Sequence, residues 1–276
     1  MTQTVATPPQ RLVSLDLDSQ ELAETYDRTS TRQFNHGKLL IAAIDPKPGQ
    51  RVLDVGCGTG RLGEYVAKLV APNGEVVGID PLPLRIDLAA RKNPLFKASV
   101  GRAEDLSAFA DASFDRLYSN SVFHWVDDKR TALREAFRVL KPGGRIGVNS
   151  ADADKPHQSY ALVREAVIDA GLGQQRAGEQ GNNHRVNGQA LRALLQDAGF
   201  RDIQAETHTF VDEVEDVDDL IAWSSSSSFG NFLSDLSSQE RHRVRDRLSK
   251  KLDQLRKEAG AIHLERYLVF ATARKP

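Results

Sequence analysis

The 276-residue chain predicts an α/β fold in which strands alternate with helices and a parallel sheet is covered on both faces. Two observations carry this. The first is the stretch 51–60, RVLDVGCGTG. Val52, Leu53 and Val55 suit a strand buried on both faces, and Gly56, Gly58 and Gly60 follow at alternate positions. RLGEYVAKLV over 61–70 then sets Leu62, Val66, Leu69 and Val70 on one side of a helix. The second observation is that short apolar runs and segments of helical period go on alternating for the next eighty residues or so. Composition agrees, since 40% hydrophobic and 27% charged residues give material for a sizeable core and exclude a disordered chain.

Taken in order, residues 1–18 lack periodicity and read as a loose arm. SQELAETYDRT (19–29) and QFNHGKLLIAAI (33–44) read as two helices, broken by Asp45, Pro46, Pro48 and Gly49. After the glycine turn and its helix, Pro72-Asn73-Gly74 stops the pattern. EVVGID (75–80) is a second buried strand ending on an acid. A short helix over 83–92 and a strand over 96–100 follow. FDRLYS (114–119) is a fourth strand, 128–140 a helix stopped by Lys141-Pro142-Gly143-Gly144, and 145–149 a fifth strand. Beyond it, 160–170 and 189–198 read as helices and 203–210 as a strand, while the polar, glycine-rich 171–188 reads as a mobile loop or lid. The acidic cluster in 211–219 reads as a solvated edge or helix start and is assigned no metal. The serine run 224–228 is flanked by Trp223, Phe229, Phe232 and Leu233, which favours a packed segment over a linker. Leu236, Val244, Leu248, Leu252, Leu255 and Ile262 recur at helical spacing, and LERYLVFAT (264–272) is a closing strand.

Bulk properties narrow the function. A net charge of -1 supplies no general field for nucleic acid or an anionic membrane. The longest apolar run, 39–44, is far below the ~20 residues of a membrane helix. The start, MTQTVATPPQRL, shows no basic region followed by an apolar one, so a cytoplasmic protein, monomeric or homodimeric, is expected. Its one cysteine, Cys57, excludes disulfide scaffolds and thiolate metal sites.

A strand, glycine turn and helix form a ligand site at a helix N-terminus, and two cofactor classes compete for it. The dinucleotide fingerprint is G-x-G-x-x-G, whereas here the third glycine comes one residue early and position 61 is arginine. Asp54, two residues before the first glycine, is poorly placed for a pyrophosphate and well placed for a cationic or zwitterionic ligand. The constellation resembles the class I S-adenosylmethionine-dependent methyltransferases. Residues 54–60, DVGCGTG, match that family's first motif. Asp80 lies where the family's acid takes the two ribose hydroxyls, and Pro81 and Leu82 where an apolar residue covers the adenine. GRAEDL (101–106) resembles the motif that places Ala103 and Glu104 near the base, with Arg102 where the family often has Asp. Asn120 stands at the end of the fourth strand, and LKPGG (140–144) matches the turn before the fifth.

The resemblance implies a Rossmann-like three-layer sandwich whose seven-stranded, mostly parallel sheet has an antiparallel C-terminal strand. It implies S-adenosyl-L-methionine as cofactor and S-adenosyl-L-homocysteine as product, held by Asp54, Gly56, Cys57, Gly58, Gly60, Asp80, Pro81, Leu82, Ala103, Glu104 and Asn120. Tyr26 and Gln33 would close over the cofactor's carboxylate. Residues 1–276 then form one domain, with a core of about 46–150, 189–210 and 263–276 and an acceptor cap from 19–45, 151–188 and 211–262.

The acceptor is less legible. In SVFHWV (121–126), His124-Trp125 looks like the [Gln/His]-Trp pair of methyltransferases acting on small carboxylic acids, such as the trans-aconitate, juvenile hormone acid and malonyl-carrier-protein enzymes. His124 is the candidate catalytic residue and would orient a carboxylate, which needs no base. Trp125, Trp223, Phe229 and Phe232 would wall an apolar acceptor site. Adenine-N6 methylation lacks its Asp/Asn-Pro-Pro-aromatic motif, cytosine-C5 methylation its nucleophilic cysteine, and arsenic methylation its several thiols. No basic stripe interleaved with aromatics suggests nucleic acid. The expected function is O-methylation of a small, partly hydrophobic molecule. The alternatives are C-methylation of a prenyl, polyketide or quinone-precursor skeleton and, ranked lower, a non-catalytic S-adenosylmethionine binder.

Overall fold

A computed structural model of the chain describes residues 14–91, 96–173 and 184–276. Residues 1–13 of the arm expected over 1–18, Lys92 at the end of the expected helix, and the middle of the expected lid, 174–183, lie outside the described residues.

The order of elements is α1 (Gln20–Thr29), α2 (Thr31–Ile44), β1 (Arg51–Val55), α3 (Arg61–Val70), β2 (Glu75–Asp80), α4 (Pro83–Ala89), β3 (Phe96–Val100), β4 (Phe114–Ser119), α5 (Lys129–Val139), β5 (Leu140–Ala151), α6 (Gln158–Asp169), α7 (Gly188–Asp197), β6 (Arg201–Val214), α8 (Val217–Ser227), α9 (Ser238–Ala259) and β7 (Ile262–Arg274). The sheet runs β3-β2-β1-β4-β5-β7-β6. Pairing is parallel from β3 through β5, and β7 runs antiparallel to both β5 and β6. The expected seven-stranded, mostly parallel sheet with an antiparallel C-terminal strand is therefore observed.

The sheet is double-faced for the reason its sequence suggests. Val52, Leu53 and Val55 of β1 and Val76, Val77 and Ile79 of β2 are buried, so neither face of these strands meets water. On one face α2 and α3 set Leu40, Ile41, Ile44, Leu62 and Val66 against the sheet. On the other, Leu133, Ala136 and Val139 of α5 and Leu191 and Leu195 of α7 fill the second layer. A third apolar cluster joins α6, α8 and α9 to the ends of β6 and β7 through Val163, Leu220, Val244, Leu248, Leu252 and Ile262. Within α9, Val244, Leu248 and Leu252 recur every fourth residue and are buried, each contributing about 1.5–3 kcal/mol. A capping box of Ser237 and Glu240 starts that helix, and Gly260 in the left-handed conformation ends it.

Four expectations are corrected. The Lys141–Gly144 turn lies inside β5: Phe114 pairs with Leu140 and Arg116 with Arg145, so the extra residues bulge out with Gly143 at φ 78°. β6 extends to Val214 instead of stopping at Phe210, which takes Asp212 and Glu213 into the strand. Asp212 is 8% exposed and held by Arg266 of β7, so part of the acidic cluster is buried rather than solvated. The remainder starts α8, where the Asp216 side chain accepts from the Asp218 and Asp219 N–H groups. Finally α4 ends at Ala89, earlier than expected. The serine run is packed, as its aromatic flanks suggested, and most of it continues α8.

The strand order reverses between β1 and β4, which are neighbours although β2 and β3 follow β1 in sequence. In an open parallel sheet that reversal leaves a crevice beyond the strands' carboxyl ends, and the glycine turn, Asp80 and the segment after β4 all sit there.

Candidate active site

The turn after β1 is tied to β2 by its own backbone. Gly56 N–H and Cys57 N–H both donate to the Ile79 carbonyl, at 2.7 and 2.9 Å. Asp80, at the end of β2, accepts from Gly58 N–H through Oδ2 at 2.9 Å and from Leu82 N–H through Oδ1 at 3.0 Å. One buried carboxylate thus fixes both the glycine turn and the entry to α4. Burial pushes its pKa up, and the Arg85 guanidinium opposes that rise. Gly56 has φ 81°, and a Cβ there would come within 2.2 Å of Val122 Cγ2. Only glycine allows this conformation and this approach together.

These residues open onto a cavity of about 450 Å³. Of the residues singled out from sequence, Tyr26, Gln33, Gly56, Gly58, Asp80, Pro81, His124, Trp125, Trp223, Phe229 and Phe232 line it. A small adjoining recess is lined by Tyr26, Gln33, Asp54, Gly56, Cys57 and Asn120. Asp54 is 2% exposed and accepts the Tyr118 hydroxyl at 2.7 Å. Burial raises its pKa to about 7, the Tyr118 hydrogen bond works against that rise, and the Asp80 charge adds to it. Asn120 Nδ2 donates to the Gln33 carbonyl at 3.1 Å and its Oδ1 accepts from Asn149 Nδ2 at 2.7 Å, so α2, β4 and β5 are laced together beside the recess. Burial drives the Cys57 thiol well above its ordinary pKa, leaving an unreactive turn residue.

Four expected residues stand outside the cavity wall, each for a physical reason. Gly60, at φ 79°, is the N-cap of α3. Leu82 is 2% exposed and reaches Asp80 through its backbone. Ala103 packs on the sheet's hydrophobic layer. Glu104 accepts from Asp127 N–H at 3.2 Å and lies 3.7 Å from Arg102, the neighbour that lines the cavity in its place.

His124 sits in a single helical turn after β4 and lines the cavity. Its Nδ1 accepts the Ala151 N–H at 3.3 Å, so in the neutral ring the proton is on Nε2. Burial, followed by the charges of Arg185 and Lys129, lowers its pKa to about 3. His124 is therefore a neutral hydrogen-bond donor at ordinary pH and has no free basic nitrogen. Ring contacts run from it toward the glycine turn: His124 to Trp125 at 5.3 Å, Trp125 to Phe229 at 4.7 Å, Arg85 over Phe229 at 5.0 Å and over Tyr26 at 4.3 Å. Trp223 lies between His157, at 5.5 Å, and Arg32, at 5.2 Å.

Sequence reasoning missed Arg85, His157 and Arg266. Arg85 is 2% exposed, donates to the Ser226 carbonyl at 2.6 Å and pairs with Asp18 at 3.4 Å. Arg266 clamps Asp212 with Nε at 2.7 Å and Nη2 at 2.9 Å. Each joins segments far apart in the chain, and no local pattern marks them. Among the described residues no group of three or more His, Cys, Asp and Glu side chains is placed to hold a metal ion.

Comparison with known proteins now bears on this site. Residues 53–148 match the family described as "Methyltransferase domain". Over 145 residues the chain is 34% identical to the arsenite methyltransferase of Aquipseudomonas alcaligenes, covering 49% of this chain and 41% of that protein. Over 141 residues it is 31% identical to the malonyl-[acyl-carrier protein] O-methyltransferase of Erwinia billingiae, covering 50% and 54%. The chain thus spans about half the length of these curated relatives. Its fold is similar to the crystal structure of the YcgJ protein from Bacillus subtilis, with a TM-score of 0.58 at 20% identity over 87% of this chain and 98% of that one. The sheet order and the glycine turn with its acid agree with this family match over residues 53–148.

Proposed function

We propose that this protein transfers the methyl group of S-adenosylmethionine to an oxygen of a small, partly hydrophobic molecule, a carboxylate first among the candidates. The observation that carries this reading is one cavity with the glycine turn and Asp80 at one end and His124 with its aromatic neighbours at the other.

The residues present fit the cofactor. Each Asp80 oxygen takes one backbone N–H and keeps a lone pair for a hydroxyl. Asp54 offers a buried carboxylate to an ammonium group, and Gly56 and Gly58 leave room for close approach. Tyr26, Gln33 and Asn120 border the same recess. When bound, the cofactor supplies a sulfonium-activated methyl group. The chain's own part is then placement, because holding an acceptor atom in line supplies much of the acceleration of a displacement. His124 donates from Nε2 and steadies an acceptor oxygen, while Trp125, Trp223, Phe229 and Phe232 enclose the apolar body.

A carboxylate suits a site in which His124 takes no proton, since it is already ionised. C-methylation must end in loss of a proton, and His124, with Nδ1 occupied, is not the group to receive it. The arsenite relative's substrate is not carried over, because this chain has one cysteine and it is buried in the turn. The test is incubation with methyl-labelled S-adenosylmethionine and a fractionated metabolite pool. Label in base-labile methyl esters supports the proposal, and label confined to carbon–carbon methyl groups overturns it.

A further inference from the structure

A second wall of the cavity carries chemistry that methyl transfer at His124 does not use. Lys155, Pro156, His157 and Tyr160 at the start of α6, Arg185, and Arg266 and Tyr267 of β7 all face the same space. Lys155 lies over the Tyr267 ring at 5.5 Å and Arg185 over the Tyr160 ring at 4.5 Å. Both cations are thus held in place by aromatic faces; among the described residues neither has a carboxylate in ion-pair contact. Arg266, 7% exposed, commits Nε and Nη2 to Asp212 and leaves Nη1 at 3.5 Å from His36 Nε2.

The acids of this wall are occupied. Asp152 accepts from Thr207 Oγ1 at 2.7 Å and Asp154 N–H at 2.8 Å. Glu265 accepts the Tyr267 hydroxyl. Asp212 serves Arg266. His157 caps α6, its Nδ1 accepting Ser159 N–H at 2.9 Å, so the neutral ring carries its proton on Nε2. That Nε2 is buried without a hydrogen-bond partner, 3.6 Å from Asp212 Oδ2. The opening turn of a twelve-residue helix, Lys155 and Arg185 therefore line the same cavity, with Arg266 and the His157 N–H turned toward Asp212 beside them.

Taking the proposed function as given, we infer that the acceptor carries an anionic group, carboxylate or phosphate, other than the oxygen that is methylated, and that Lys155, Arg185 and Arg266 hold it against the start of α6. His124 belongs to the series of ring contacts through Trp125 and Phe229, and the charge of Arg185 reaches it, whereas Lys155 and Arg266 belong to the α6 and β7 side. An oxygen surrounded by cations is also a poorer nucleophile, so the cationic wall suits a group that is held rather than methylated. The apolar rings between the walls then fit the body of the molecule.

The test is calorimetric titration of the S-adenosylhomocysteine-saturated protein with decanoate, decyl phosphate and neutral decanol. At least one anion is expected to bind tenfold or more tightly than decanol. The double variant Lys155→Ala/Arg185→Ala should lose at least tenfold in anion affinity. Which anion binds better separates carboxylate from phosphate. S-adenosylhomocysteine affinity measured on each variant reports folding. Anions binding no better than decanol, or an unaffected double variant, would each overturn the inference. Failure of the wild-type protein to bind S-adenosylhomocysteine would instead overturn the cofactor reading beneath it.

Discussion

Tyr118→Phe isolates the least ordinary electrostatic feature of the site. The Tyr118 ring is fully buried, so the variant keeps its packing and loses one hydroxyl hydrogen bond of 2.7 Å to Asp54. In the wild type Asp54 titrates at about 7. If its carboxylate receives the cofactor's ammonium group, binding selects the ionised form, and affinity falls as pH drops through that value. From pH 8 to pH 5 the ionised fraction shrinks from about nine-tenths to about one-hundredth, a loss approaching a hundredfold, or ~2.7 kcal/mol. A hydrogen bond to a charged group is worth about 1.5–3 kcal/mol, so removing it raises the Asp54 pKa by roughly one to two units. At pH 7 the variant should therefore bind S-adenosylmethionine roughly tenfold more weakly, and the two proteins should converge at high pH where both carboxylates are ionised. Calorimetric titration across this pH range measures the effect. Affinity that stays flat from pH 5 to 8 in the wild type, or a variant curve displaced equally at every pH, would refute the reasoning.

Three further outcomes follow from the geometry. Gly56→Ala combines a left-handed φ of 81° with a Cβ 2.2 Å from Val122 Cγ2 and should destabilise the fold by about 2–4 kcal/mol in urea titration; a cost below 1 kcal/mol would show that the turn relaxes freely. Turnover at saturating cofactor and acceptor should show no break near pH 6.5, because the His124 pKa lies at about 3; such a break, abolished by His124→Gln, would make His124 a base after all. Burial and the nearby Arg266 charge hold the His36 pKa well below its ordinary value, so its neutral form contributes stability that is present above pH 6.5 and lost as pH falls. The stability advantage of wild type over His36→Asn should shrink by about 1.4 kcal/mol per unit between pH 6 and 5, and a constant difference in urea titrations would contradict this.

Much of the fold was legible because its decisive signals are local. Val52-Leu53 followed by three alternate glycines can be little other than a buried strand and a tight turn, and Asp80 closes the next apolar run in plain sight. What stayed hidden depends on partners distant in sequence. Asp212 reads as a solvated charge until Arg266, more than fifty residues later, is laid beside it in β7, and that pairing also hid the true end of β6. Lys141–Gly144 reads as a turn because proline and glycine break patterns, yet a parallel neighbour can absorb the bulge. At the site, the glycine turn and Asp80 could be named from sequence, whereas Arg85, His157 and the α6 wall could not. A buried arginine in a short helix looks the same in sequence as an exposed one. His124 was legible as a candidate, but its role needed the Ala151 N–H that occupies its Nδ1.

The most direct test of the central claim is a calorimetric titration of the wild-type protein and Asp80→Asn with S-adenosylmethionine. The ribose role of Asp80 predicts one cofactor per chain in the wild type and at least tenfold weaker binding in the variant. No binding by the folded wild-type protein, or equal affinity in the two proteins, would contradict it.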